Sequence, residues 1–370
     1  MGGLGAQPPT GPGAGPGMGR VRAAGANSPL AAQPPAATLV TVPLRSPIVL
    51  DSDPGIDDAL ALQYLLGTGL WDLKAYTSVG GNLPAEQTYL NARALARAMR
   101  IDADVPVHRG AGRPLTRLPY TSASAFHGKA GLGNETLPDS TAAHPAESSA
   151  QALLRLSREY EGELTVCATG PLTNVAIALL EDPAFAHRVK KFVFMGGAAH
   201  VPGNITPVAE FNIWADPDAA EVALSSGIPY TMVDLDASLR WLFRPADLAV
   251  LEAAGAGTAL AARLLRVYMD AYRLHGGGDA CPLHDPLAVG VCADESFITA
   301  AEGAVIVESA SELTRGKTVF APAGAHRVYY ADSPTLTARL STTGRVALGP
   351  GPRDFVKDFV ATLQQWPGVG

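Results

Sequence analysis

The stretch PIVLDSDPGIDDALALQYLLG, residues 47–67, decides how the chain is read. Its opening PIVL is strand-like, residues 57–66 are helix-like, and Asp51, Asp53, Asp57 and Asp58 are crowded between and into them. Strand and helix keep alternating beyond it. Residues 73–79 read as a strand and AEQTYLNARALARAM as a helix, followed by ELTVCATG, PLTNVAIALL, KKFVFMGG, DPDAAEVALSSG and IPYTMVDLD. This order predicts an α/β fold with an open, mostly parallel central sheet and helices on both faces. Such sheets bind ligands beyond the carboxyl ends of their strands. The polar clusters stand there: the aspartates follow IVL, Gly80-Gly81-Asn82 follows AYTSV, Thr169-Gly170 follows VCA, and Met195-Gly196-Gly197 follows KKFVF.

Of the 370 residues 47% are apolar, enough for one large core, which is assigned to a single domain over residues 46–370. Residues 1–45 are rich in Gly, Pro and Ala, contain no acidic residue, and read as a disordered extension. Pro34, Pro35 and Pro43 interrupt the one apolar region that could serve as a signal peptide; an acid-free transit peptide and a start at Met18 remain alternatives. A formal charge of −7 with no Lys/Arg block speaks against nucleic acid and anionic membranes and for a small polar substrate or a cation. No apolar run reaches the roughly 18 residues of a membrane span. Cys167, Cys281 and Cys292 lack metal-ligand spacing and read as reduced thiols of a cytoplasmic protein.

Four carboxylates this close repel one another unless a cation neutralises them. With no His or Cys beside them they suit a hard ion, magnesium or the more tolerant calcium. Helix capping accounts for one or two of the four. An EF-hand loop fails because its twelfth position is Leu62, and an aspartyl-phosphate phosphatase is disfavoured by Gly55.

The motif DSDPGIDDA, residues 51–59, resembles the opening signature of the inosine-uridine-preferring nucleoside hydrolase family. Five further segments match it in order: GGN at 80–82, HGKAGLGN at 127–134, TGPLTN at 169–174, GNITPVAEFNIWADPDAA at 203–220 and PLHDPLAV at 282–289. The resemblance implies hydrolysis of the N-glycosidic bond of inosine, uridine and related ribonucleosides to free base and ribose. It implies attack by calcium-bound water through an oxocarbenium-like transition state, in purine and pyrimidine salvage. By the same resemblance Asp53, Asp58, Asp285 and the carbonyl of Thr169 are calcium ligands, with Asp53 also the catalytic base. Asp57, Asn82, Asn204, Glu210 and Asn212 bind ribose hydroxyls, Met195 packs near the sugar, and Asp51 supports the loop.

The departing base needs a proton or a hydrogen bond. His284, beside Asp285, is the leading candidate acid, and His127 a second group for the base. Tyr268 and Tyr272, one helical turn apart, match tyrosines that close over the base, and Phe211 is assigned to the base side while Trp214 is assigned to packing. DLDASLR at 234–240 ends in Leu-Arg where a Thr-His-like pair is commoner. The resemblance further implies a homodimer or homotetramer. The reading from another class is a catalytically silent calcium- or nucleoside-binding protein; phosphorolysis lacks a phosphate-cradling loop.

Overall fold

The computed structural model describes residues 45–116, 122–324, 334–341 and 344–366; the extension read at residues 1–45 lies outside them but for Arg45. The alternation read from the sequence is present as β1 (Ser46–Ser52), β2 (Trp71–Ser78), β4 (Thr165–Ala168), β5 (Lys191–Met195) and β6 (Tyr230–Val233); the structure adds a short strand between β2 and β4 in the chain, β3 (Val107–His108), that the sequence reading does not contain. A short antiparallel pair, β7 (Leu242–Phe243) and β8 (Cys281–Pro282), precedes β9 (Ile298–Val307), β10 (Thr318–Pro322) and β11 (Gly344–Pro350). The main sheet runs β10-β9-β11-β6-β5-β4-β1-β2-β3. It is parallel from β3 to β11, and only β9 runs against its neighbours.

Each face of the sheet buries its own core, because side chains alternate along a strand. Ile48, Leu50, Cys167, Val193, Met195 and Val233 pack on one side. Val49, Val166, Ala168, Phe192, Phe194 and Met232 pack on the other. The first helix, Ile56–Thr68, is buried all round over its first ten residues. That is why its sequence carries no clear polar stripe: the sheet covers one flank, and helices His284–Ala293 and Phe355–Gln365 cover others. All three cysteines are buried free thiols. Among the described residues no helix is long and apolar enough to cross a membrane.

The chain leaves β1 for β2 and β3 on one side, then returns to place β4 on the other. Strand order therefore reverses between β1 and β4, and the two loops leaving their carboxyl ends splay apart to open a crevice. Those loops begin with Asp53 and Thr169.

Candidate active site

Gly55 caps the first helix, and its N–H donates to Asp58 Oδ2 at 2.8 Å. A Cβ at Gly55 would lie 2.7 Å from His127 Nδ1 and 2.9 Å from Asn82 Nδ2, so the tight entry requires glycine. Asp57 and Asp58 occupy the first turn, where the helix dipole favours negative charge. Asp58 also accepts from Thr169 Oγ1 on its Oδ1 (2.8 Å) and from Asn82 Nδ2 on its Oδ2 (3.1 Å). The backbone N–H of Asn82 donates to Asp53 Oδ2 at 2.6 Å. Asp57 Oδ2 accepts from the Tyr268 hydroxyl at 3.0 Å. Asp285 enters from the far end of the sequence, in the buried first turn of helix His284–Ala293. Beneath them Asp51 Oδ1 accepts from Thr77 Oγ1 and Asn174 Nδ2, both at 2.7 Å, a supporting position.

Asp57, Asp58 and Asp285 each offer an oxygen within 4.8 Å of the others, a grouping that could hold a metal ion. Asp53 stands outside this trio but is joined to Asp58 through Asn82, which donates to both carboxylates. Oδ1 of Asp53 and Oδ1 of Asp57 are buried without a hydrogen-bond partner. Among the described residues no Lys or Arg lines the cleft. Burial, followed by repulsion from neighbouring acids, pushes Asp53 and Asp285 well above the usual carboxylate range. Burial raises Asp57 and Asp58 to about 6. So much uncompensated charge, all on oxygen, fits a hard cation.

A cleft of about 260 Å³ opens above this floor. Glu210, Asn204 and Asn212 line it, yet each is also tied into the loop that presents it. Glu210 caps helix Phe211–Ala215, Oε1 accepting from Asn212 N (2.8 Å) and Oε2 from Gly197 N (3.0 Å) and Ile213 N (3.1 Å). Burial raises it to about 7. Asn204 Oδ1 accepts from Phe211 N at 2.9 Å, which leaves its amide N–H groups for a ligand. Asn212 Nδ2 donates to the carbonyls of Thr169 (2.8 Å) and Met195 (3.2 Å), so its Oδ1 is the atom left over. Met195 and Phe211 also line the cleft; Trp214 does not, and the Arg315 guanidinium sits 5.1 Å from its ring, matching the packing assignment.

Above the floor the cleft is walled by His127, Tyr268, Tyr272 and His284. The Ile56 N–H donates to His127 Nδ1 at 3.1 Å, so the proton of the neutral ring is on Nε2. His127 stacks on Tyr268 with centroids 5.8 Å apart. Tyr272 Oη is 3.1 Å from His284 Nε2, and Ser238 Oγ is 2.8 Å from His284 Nδ1. Burial lowers both histidines to about 4, leaving each neutral at pH 7. Every residue named from the sequence for substrate or metal thus lies on this cleft or in its floor. Sequence reasoning missed Phe126, Ile205 and Leu239, which give the mouth an apolar rim, and Ser238 behind His284. Phe126 directly precedes the matched His127 segment, and Ser238 and Leu239 belong to the DLDASLR departure; those were the available signals.

Fold and site together define an open α/β enzyme whose switch-point crevice joins a polyacidic, cation-competent floor to a wall of neutral donors. The profile of the inosine-uridine preferring nucleoside hydrolases matches residues 48–342, and the chain belongs to that family. The pyrimidine-specific ribonucleoside hydrolase RihA of Enterobacter sp. (strain 638) is 36% identical over 275 residues, covering 74% of this chain and 87% of the relative. Among solved structures, the plant nucleoside hydrolase PpNRh1 superposes with a TM-score of 0.81 at 29% identity, over 87% of this chain and 99% of that one. The purine-preferring ribonucleoside hydrolase from Gardnerella vaginalis gives 0.77 at 30% identity, over 86% and 98%. This protein is a hydrolase of ribonucleoside N-glycosyl bonds.

Proposed function

We propose that the enzyme is calcium-dependent, cleaves inosine, uridine and related ribonucleosides with broad base choice, and serves nucleoside salvage in the cytoplasm. What supports the metal most is the set of buried acids in which Asp53 Oδ1 and Asp57 Oδ1 have no hydrogen-bond partner. Asp53, Asp58, Asp285 and the Thr169 carbonyl are the groups that would hold the ion. Bound there, calcium would supply positive charge against the acids, acidify water and offer sites to vicinal hydroxyls.

The chain's own groups do the rest. Asp53 Oδ1 receives a proton from the attacking water, the role its free lone pairs suit. Asp57 and Asn82 hold the 2- and 3-hydroxyls from the floor, with Asn212 Oδ1 beside them. Asn204 and Glu210 take the remaining hydroxyl, and Met195 packs against the sugar. Contacts to these non-reacting atoms orient the ring for attack. As the bond breaks, positive charge grows on ribose over the acids and negative charge grows on the base. The base meets the Nε2–H of His127 and the hydroxyl of Tyr272. Burial holds that hydroxyl well above its ordinary pKa, so it stays a donor. His284, the acid assigned from the sequence, reaches the base through Tyr272.

Broad base choice is inferred from the mouth. Phe126, Ile205, Phe211 and Leu239 offer apolar surface on which a purine or a pyrimidine can stack. Relatives named for pyrimidine and for purine preference stand at 36% and 30% identity, so likeness alone selects neither. The test is release of reducing sugar from inosine, uridine, cytidine, adenosine and guanosine, with and without a calcium chelator. Chelator-sensitive release from several of them is expected. Turnover that survives chelation, or requires phosphate, overturns the reading; silence on all five with calcium bound points to a binding protein. We also propose that residues 46–370 form one catalytic domain that assembles as a homodimer or homotetramer.

A further inference from the structure

We infer that Ser238 is a positioning residue that sets which nitrogen of His284 carries the proton, and thereby which way Tyr272 presents its hydroxyl to the departing base. The second half rests on the roles proposed above for His284 and Tyr272.

Ser238 ends the short helix Leu235–Ser238 and is fully buried. Its backbone is held from both sides: its N–H donates to Asp234 O at 3.0 Å, and its carbonyl accepts from Trp241 N at 3.3 Å. Trp241 O in turn accepts from Leu283 N at 3.2 Å, which binds this segment to the residue preceding His284. Between these anchors the Ser238 hydroxyl meets His284 Nδ1 at 2.8 Å and has no other hydrogen-bond partner among the described residues. On the opposite edge of the ring, Nε2 faces Tyr272 Oη at 3.1 Å.

A hydroxyl carries one hydrogen, and so does a neutral imidazole. If the ring proton were on Nδ1, Ser238 would accept it, and its own hydrogen would have no acceptor among the described residues. If Nδ1 is bare, Ser238 donates to it and both groups are satisfied, so the second arrangement is favoured. The ring proton then sits on Nε2 and is donated to Tyr272 Oη. The tyrosine's own hydrogen is then freed from Nε2 and turns to the neighbouring Tyr268 hydroxyl, whose hydrogen is held by Asp57, or to the departing base once it is bound in the cleft. All donors in the chain Ser238, His284, Tyr272 point the same way. With the other tautomer Tyr272 would donate back into Nε2 and turn only lone pairs towards a base gaining negative charge. One buried hydroxyl thus decides whether Tyr272 offers the leaving group a hydrogen or only lone pairs, beside the donor that His127 supplies.

The experiment compares the wild type, Ser238→Ala, Ser238→Thr and His284→Ala. Long-range proton–nitrogen NMR correlations of the histidine rings report the tautomer, with His284→Ala assigning the signals. Steady-state kinetics use uridine, whose base needs a donor, and p-nitrophenyl riboside, whose leaving group does not. The wild type is expected to show the Nε2–H form. Ser238→Ala should lose that signature and, with KM nearly constant, about tenfold or more in kcat on uridine but little on the nitrophenyl substrate. Ser238→Thr keeps the hydroxyl and should restore both the signature and the rate.

An Nδ1–H ring in the wild type, or an unchanged tautomer in Ser238→Ala, overturns the inference, as do equal losses on both substrates with no rescue by threonine. The two readings separate cleanly. If His284→Ala lacks leaving-group selectivity while Ser238→Ala still changes the tautomer, the role proposed for His284 fails and the Ser238 link stands. A selective loss in His284→Ala with Ser238→Ala unaltered removes the link alone.

Discussion

Replacing Gly81 by alanine probes Asp53 without changing its chemistry. Gly81 lies in the loop after β2 and does not adopt positive φ, so alanine brings no backbone penalty of that kind. A Cβ there would stand 2.6 Å from Asp53 Cγ and 2.8 Å from Asp53 Cβ. Non-bonded carbons rest at about 3.5–4.0 Å, so the gap is short by about 1 Å. Because the Asp53 Cβ is itself too close, a rotamer change cannot clear the clash; the residue must move bodily. A displacement of that size at a reacting group costs about a hundredfold in rate, equivalent to about 2.7 kcal/mol in the barrier. The assay is kcat/KM for ribose release from uridine, beside calcium titration by calorimetry and a thermal melt. Gly112→Ala, where an added Cβ meets nothing within 4 Å, is the control. Gly81→Ala should lose both rate and calcium affinity while remaining folded. If both stay within about threefold of the wild type, Asp53 is neither ligand nor base, and the proposed mechanism is wrong.

Removing the metal should make stability fall as pH rises. Asp57 and Asp58 (about 6) and Asp51 and Glu210 (about 7) have folded values above the ordinary 3.8 of Asp and 4.5 of Glu, so the folded state holds the extra protons and loses their stabilisation as pH climbs through 6 to 7. His127 and His284, lowered from 6.5 to about 4, oppose this only below 6.5. The chelated protein should therefore melt lower at pH 8 than at pH 6.5, and added calcium should raise Tm more at pH 8; a Tm that is flat or rising over that window contradicts the charge balance. His284→Ala should slow uridine far more than p-nitrophenyl riboside, by about a hundredfold on the former; equal losses in paired kinetics would remove His284 from leaving-group activation. Glu210→Gln exchanges an acceptor for an amide facing backbone N–H groups at 2.8–3.1 Å. It should destabilise by about 1–3 kcal/mol and raise KM, and an unchanged melt together with an unchanged KM would count against both of its roles.

Strands β1, β2, β4, β5 and β6 were legible because each is a short apolar run closed by turn residues, with helical periodicity resuming beyond; β3, only Val107–His108, is too short to announce itself. The C-terminal half was not: Ile298–Val307 buries neither alternate nor consecutive residues consistently, and besides the next strand, β10, it pairs with β11 across an intervening strand and helix. In the site, the acids were readable because crowded like charges are costly without a purpose. Partners that depend on long-range packing could not be read. The bond from Ile56 N to His127 spans 71 residues and that from Ser238 to His284 spans 46, and no local pattern announces either. Glu210 was read as a sugar ligand from its motif, whereas its capping of Phe211–Ala215 became visible only with the backbone in place.

The contrast between floor and rim has a consequence for how such an enzyme can change. The acids of the floor stand just past a strand end and on the first turns of two buried helices, where any substitution disturbs the packed interior as well. The rim of the cleft includes Ile205 and Leu239, which are 40% and 38% exposed and have room to vary. Mutations can therefore redraw the preferred nucleobase while the sugar-cleaving apparatus stays untouched. Selection can act on diet and chemistry separately, and a library restricted to residues 126, 205, 211 and 239 is where a new specificity would be sought.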